Sequence, residues 1–239
     1  GRDLLVIAHP RLGSPEEVAL PAGDWRDVTA EVYGTADHPD LPRLLLRDGA
    51  ILPLGPVREH LADGLPDELR VLLADYPRDA WESLGLSPLI RFWLERHMMF
   101  RQLTERLSKD SHHALDGAAD AHQYAASLSR FGGIFVNELH AHHHIEDAHY
   151  FPQLAQHDVR LNTGFELLDA DHHALDGHLT AFVGRANAVL QADGAARHEA
   201  TGRFLDGLEA FAPLLDRHLT DEEDLIVPIL LKYGERGIA

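Results

Sequence analysis

Cysteine is absent from all 239 residues, which excludes disulfides, thiolate zinc sites and thiolate-held iron–sulfur clusters; any metal must be held by nitrogen and oxygen. Positive charge is also scarce. Lys and Arg total 21 against 39 Asp and Glu, and the net charge of −18 disfavours nucleic acid and anionic membrane as partners while favouring cations. Long apolar runs are missing: the stretch from Leu225 to Leu231 is broken by Pro228 and is far too short to span a bilayer, and no signal peptide is visible. A soluble, cytoplasmic protein is expected. What the chain does have is 45% hydrophobic content, enough for a sizeable core, and 18 histidines.

The chain changes character along its length. Residues 1–65 carry proline and glycine every few positions with short apolar runs such as Leu4 to Ala8 and Leu44 to Leu46, so an irregular extension with short strands is expected there. Arg47 to Leu54 reads as a hairpin around Asp48-Gly49. Residues 66–85 read as short capping helices, and 86–239 as four long helices able to fold alone from about Ser87. The first helix opens with Ser87-Pro88, carries Leu89, Phe92, Trp93, Phe100, Leu103 and Leu107 at helical spacing, and stops near Asp116-Gly117. The second runs from about Ala119 to Phe151, where Pro152 helps end it. A loop to Asn162 follows, then a third helix capped by Thr163 with Glu166 and closed at Asp193-Gly194. The fourth extends from about Ala196 to Lys232, bent at Pro213 and Pro228. The fold class is all-α, an antiparallel four-helix bundle.

The bundle is a duplicated helical hairpin. Adding 76 carries His142 and Glu146 onto His218 and Glu222, His97 onto His173, Phe135 onto Phe211, Leu139 onto Leu215 and Pro152 onto Pro228 without a gap. A histidine and a carboxylate at i and i+4 lie one turn apart on one helix face, so both reach the same ion or an adjacent pair. Facing helices of a bundle bring such groups to one level, which is how carboxylate-bridged di-iron centres are assembled. His97, His142, Glu146, His173, His218 and Glu222 are therefore the expected metal ligands, with positions left open for a small ligand.

His113 is discarded despite the likeness of its surroundings to those of His173. It lies only four residues before the turn at Gly117, and at 1.5 Å per residue it would miss His142 by roughly 30 Å along the axis. Among the remaining histidines, His140, His143, His144 and His149 crowd the second helix, and His143 is the strongest of them, next to His142 and three before Glu146. His172 competes with His173, but the gapless repeat pairs it with Arg96. Asp147, Glu223 and Asp224 are read as an exposed acidic face or as groups that orient imidazoles.

His97, the segment HAHHHIEDAHYFP with His142 and Glu146, His173, and the segment HLTDEEDLIVP with His218 and Glu222 resemble the hemerythrin-like family of non-haem di-iron proteins over roughly Leu86 to Tyr233. The resemblance implies a cofactor of two iron ions, oxo- or hydroxo-bridged, that binds or senses oxygen or nitric oxide or handles iron. Gly177 four residues after His173, and Glu222 on the fourth helix, depart from the oxygen carriers and look more like the bacterial sensor and iron-centre-repair branch. The paired cysteines usual in the repair proteins are missing here. A di-iron oxidase or peroxide-consuming enzyme, and a metal-gated interaction module, are the competing uses of such a centre. Iron and small diatomics are the expected partners.

Overall fold

The computed structural model describes residues 4–8, 25–27, 43–47 and 64–235. It comprises two compact units, Gly1–Glu59 and His60–Ala239. In the first, β1 (Leu4–Ala8), β2 (Trp25–Asp27) and β3 (Arg43–Arg47) form an antiparallel sheet of order β1-β3-β2. Leu5 pairs with Leu45 and Arg26 with Leu46, and the register slips between Val6 and Ala8. The turn expected at Asp48-Gly49 lies outside the described residues.

The second unit is helical. A short α1 (Trp81–Leu84) precedes four long elements: α2 (Pro88–Leu115), α3 (Ala121–Ile145), α5 (Asn162–Gln191) and α6 (Gly194–Tyr233). The starts of α2 and α3 are written locally. The Ser87 side chain accepts from the Ile90 amide with Pro88 in the first turn, and Asp120 accepts from the His122 and Gln123 amides. Gly117 adopts φ +70° just past α2, where the Ala118 amide returns to the His113 carbonyl at 3.0 Å, a geometry that a side chain would strain. The expected capping box at Thr163 does not form: α5 begins at Asn162 with no side-chain cap.

The second helix does not end at Pro152. After Ile145 it widens into a π-helical stretch, Glu146–Tyr150, and resumes as α4 (Phe151–Leu154), with the proline in the first turn of α4, where its missing amide costs nothing. Pro213 and Pro228 both lie inside α6.

Two apolar layers fill the bundle. Phe100, Phe135, Leu139, Leu175, Phe182, Phe204 and Phe211 belong to one. Ile90, Trp93, Phe151, Phe165, Leu168, Leu225 and Ile229 belong to the other, together with Leu65, Leu72 and Trp81 from the segment before the long helices. That segment does more than cap. Every residue of α6 from Asp221 to Leu230 is buried, because residues 64–84 pack against the side of α6 that would otherwise meet water. The Leu65 amide donates to Asp221 at 2.9 Å, Arg70 reaches Asp221 at 2.7 Å, and Arg78 reaches Asp224 at 2.6 Å and Glu223 at 2.8 Å.

This arrangement weighs against a self-sufficient fragment from Ser87. Removing the partners of a buried charge costs about 3–5 kcal/mol, a large part of a domain stability of about 5–15 kcal/mol, before the loss of Leu65, Leu72 and Trp81 is added. A chain starting at Ser87 is expected to show no cooperative thermal transition by far-ultraviolet dichroism, whereas one starting at His60 keeps it. Equal melting of the two fragments would assign the segment no role in the fold.

Candidate metal centre

Between the two apolar layers lies a polar one. On α2, His97 sits one turn after Trp93 and one turn before Phe100; on α5, His172 sits between Leu168 and Leu175; on α6, His218 and Glu222 follow Leu215. On α3, His142 and His143 are both buried, and Glu146 opens the π-helical stretch. Two groups of ligand atoms converge within 4.8 Å of one another: His143, His172 and His218 in one, and His97, His142, Glu146 and Glu222 in the other.

The two glutamates link the groups. Glu222 presents Oε1 to His172 and His218, each 3.1 Å away, and Oε2 to His97 at 3.4 Å and His142 at 3.9 Å. Glu146 presents Oε1 to His142 at 3.2 Å and Oε2 to His172 at 3.7 Å. Each carboxylate thus turns one oxygen to each set of imidazoles.

The outer nitrogens of three imidazoles meet carboxylates. His97 Nδ1 lies 3.0 Å from Glu223, His172 Nδ1 lies 2.6 Å from Asp147, and His218 Nδ1 lies 3.6 Å from Asp171. Glu223 is held in turn by Arg78 and Arg101. Such partners fix which ring nitrogen faces inward. Glu223 and Asp224, though adjacent to an acidic run, are buried rather than part of an exposed face.

The electrostatics are those of a donor set short of positive charge. Burial pushes the Glu146 carboxyl well above the usual range, and the neighbouring Glu222 charge pushes it further. Glu222 is held well below that range: burial opposes its ionisation, but His218, His172 and His97 outweigh it. Like charges this close oppose one another's ionisation, and a cation between them would relieve that opposition. Burial and the surrounding imidazolium charges drive His142 down to about 3, with Glu222 alone opposing. His143 is likewise well below its ordinary value, through burial and then the charges of His172 and His218. His218 is driven up to about 10, since Glu222 and Asp171 outweigh the cost of its burial.

The fit to a metal is tested by what remains unsatisfied. Both ring nitrogens of His143, both oxygens of Glu146, Glu222 Oε2, His218 Nε2 and Asp171 Oδ1 are buried without a hydrogen-bond partner. His218 Nε2 stands at ion-pair distance from Glu222 but lacks hydrogen-bond geometry. Leaving so many buried polar atoms unpaired costs about 1–3 kcal/mol each, and a cation placed among them would satisfy most of them together.

Five of the six expected residues come together: His97, His142, Glu146, His218 and Glu222. His173 does not. It is exposed, and its Nδ1 meets the Asp169 carbonyl at 2.8 Å in its own helix. His172 takes its place because the repeat is not gapless. The buried residues of α2 map onto those of α5 by adding 75, with Ile90 onto Phe165, Trp93 onto Leu168, Phe100 onto Leu175 and Leu107 onto Phe182, while α3 maps onto α6 by adding 76. The signal was present in the sequence. Phe165, Leu168, Leu175, Leu179 and Phe182 stand at helical spacing from position 172 and out of phase with 173. His143, outside the six but the strongest of the remaining histidines on its helix, joins the group; its ring stacks on His172 with centroids 4.1 Å apart and 12° between planes. His113 is exposed at the far end of α2, as its distance from His142 requires.

A histidine-and-carboxylate layer at the centre of an antiparallel four-helix bundle defines a cation-binding helical bundle protein. Residues 89–230 match the family model for the hemerythrin HHE cation binding domain, so the chain belongs to that family. No curated protein and no solved structure matches the chain. Among the described residues, no helix is long and apolar enough to cross a membrane.

Proposed function

We propose that the chain is a non-haem di-iron protein whose centre binds or reacts with a small diatomic such as oxygen or nitric oxide. The observation that carries the reading is the bridging stance of Glu222 and Glu146, each with one oxygen toward each imidazole set. His143, His172 and His218 would hold one ion, and His97 and His142 the other, with both glutamates shared. Imidazole suits iron, copper, nickel and zinc, whereas bridging carboxylates favour a pair of hard ions whose charge they balance. When bound, ferrous iron supplies electrons to an incoming diatomic. The chain's own residues do the rest: Glu223, Asp147 and Asp171 orient the imidazoles, and the apolar layers above and below keep bulk water out. The set with only two imidazoles leaves more room for an outside ligand.

Protein purified from iron-replete cells is expected to hold two iron ions per chain by elemental analysis. The reduced protein should change its visible spectrum on mixing with air and not regain the starting spectrum when oxygen is removed. A spectrum that reverses under vacuum would indicate a carrier, and no response to oxygen or nitric oxide would favour iron handling. A single tight zinc, with no iron taken up on anaerobic reconstitution, would exclude the di-iron reading.

A further inference from the structure

Beside the centre, between α2 and α3, lies a cavity of about 210 Å³. Phe92 and Ile145, both exposed, mark its mouth, and Trp93 and Tyr150 form a wall with ring centroids 4.8 Å apart. His142 closes the inner end, 6.1 Å from Trp93 between centroids. Of the five buried histidines it is the most accessible, at 8%. At this size the cavity falls below the roughly 300 Å³ at which pockets for drug-sized ligands begin, so its occupant is a molecule of about ten non-hydrogen atoms.

The lining is rich in donors and contains no Asp or Glu. Arg96 is charged. The Trp93 indole N–H is buried without an acceptor. His142 directs Nε2 at His97 and Glu146, and, unlike His97, His172 and His218, its other ring nitrogen has no carboxylate partner among the described residues. Aromatic walls, one fixed positive charge and no competing acid in the lining are the chemistry of a site for a flat apolar body bearing a carboxylate.

Two negative features oppose such a ligand. The net charge of −18 is spread over the chain, and at physiological salt its reach is cut to about 8 Å, so local charge decides. The local rival is Glu138, which pairs with Arg96 from outside the lining. Both side chains are about one-third exposed, at 32% and 39%, and ion pairs so exposed to water are weak and replaceable. An incoming carboxylate can take the guanidinium over.

We propose that this chamber binds a small aromatic monocarboxylate, with its carboxylate on Arg96 and its ring among Phe92, Trp93 and Tyr150 against His142. The role of the ligand beside the centre rests on the di-iron reading; its binding does not. Benzoate is the probe and benzyl alcohol its uncharged counterpart, titrated by calorimetry into the full chain, both as purified with metal and after chelation.

One benzoate per chain is expected in both forms, with benzyl alcohol weaker. Arg96→Gln should weaken benzoate by roughly tenfold, the worth of a hydrogen bond to a charged group, and Glu138→Gln should tighten it by removing the rival. Ala141→Leu fills the chamber and should abolish binding while the thermal midpoint stays close to that of the parent. Three results would overturn the proposal: no saturable binding at millimolar benzoate, equal affinity for the alcohol, or binding confined to the metal-loaded form and indifferent to Arg96→Gln, which would put the carboxylate on the metal. Benzoate binding in a chain that takes up no iron would sink the di-iron reading and leave this one standing.

Discussion

Replacing His172 with alanine is expected to take one metal ion from each chain, whereas His173→Ala leaves the metal content unchanged. His172 is buried, its Nε2 lies 3.1 Å from Glu222, and Asp147 steadies its other nitrogen at 2.6 Å. It is one of three imidazoles in its group, so its loss leaves two donors beside a buried carboxylate. Loss of a group that merely orients a ligand costs about 10–100-fold in metal affinity, and loss of the ligand itself should cost more. His143→Ala should behave like His172→Ala, since neither nitrogen of that ring has any other partner among the described residues. His173 is exposed and bonded only within its own helix, where substitutions stay within about 0.5 kcal/mol. Elemental analysis after gel filtration reads all three variants. Equal losses from His172→Ala and His173→Ala would mean that α5 is turned by one residue from the described position.

Removing the metal should have the second large effect. A ligand that binds only the folded state, present at about a thousand times its dissociation constant, adds about 4 kcal/mol. At about 2–4 °C per kcal/mol for a domain of this size, chelation should lower the thermal midpoint by about 8–16 °C. The structural reason is local. Without a cation, Glu146 and Glu222 face one another at the centre of the bundle, and burial beside the Glu222 charge opposes ionisation of Glu146. Scanning calorimetry with and without chelator, followed by re-addition of ferrous iron under nitrogen, measures it. A midpoint indifferent to both would identify the layer as a self-satisfied polar core.

The parts legible in the sequence are those governed by the helix itself. The i, i+4 spacing of His142 with Glu146 and of His218 with Glu222 set each pair on one face, and His97 and His142 lie at similar distances from the first turn once the loop is subtracted, which brings them level while leaving His113 at the far end. The capping residues Ser87 and Asp116-Gly117 mark the ends of α2 for the same reason. At His173 the repeat and the helical phase disagree, and the structure follows the phase. A one-residue slip rotates a side chain by about 100° around the helix axis, enough to exchange core for solvent, and the apolar spacing in α5 carried the right answer.

The acidic residues of α6 could not be read in this way. In sequence, Glu223 and Asp224 read as an exposed acidic face or as groups that orient imidazoles, and Arg78, which pairs with both, lies about 150 positions earlier. Nothing in the local pattern announces a pairing over that distance. The same holds for the chamber at His142, which exists because Phe92 and Trp93 on one helix meet Ala141 and Ile145 on another.

By itself the sequence determined the donor chemistry, nitrogen and oxygen with no sulfur, and the four long helices that carry it, because composition and a 3.6-residue period are local properties. Only the tertiary structure decided that His143 joins His172 and His218 at the centre, that each glutamate turns one oxygen to each imidazole set, and that a segment preceding the bundle neutralises its acids. Those outcomes depend on how far apart helices pack and how each is rotated about its axis. That is settled by side chains meeting across the core, from positions that are distant along the chain.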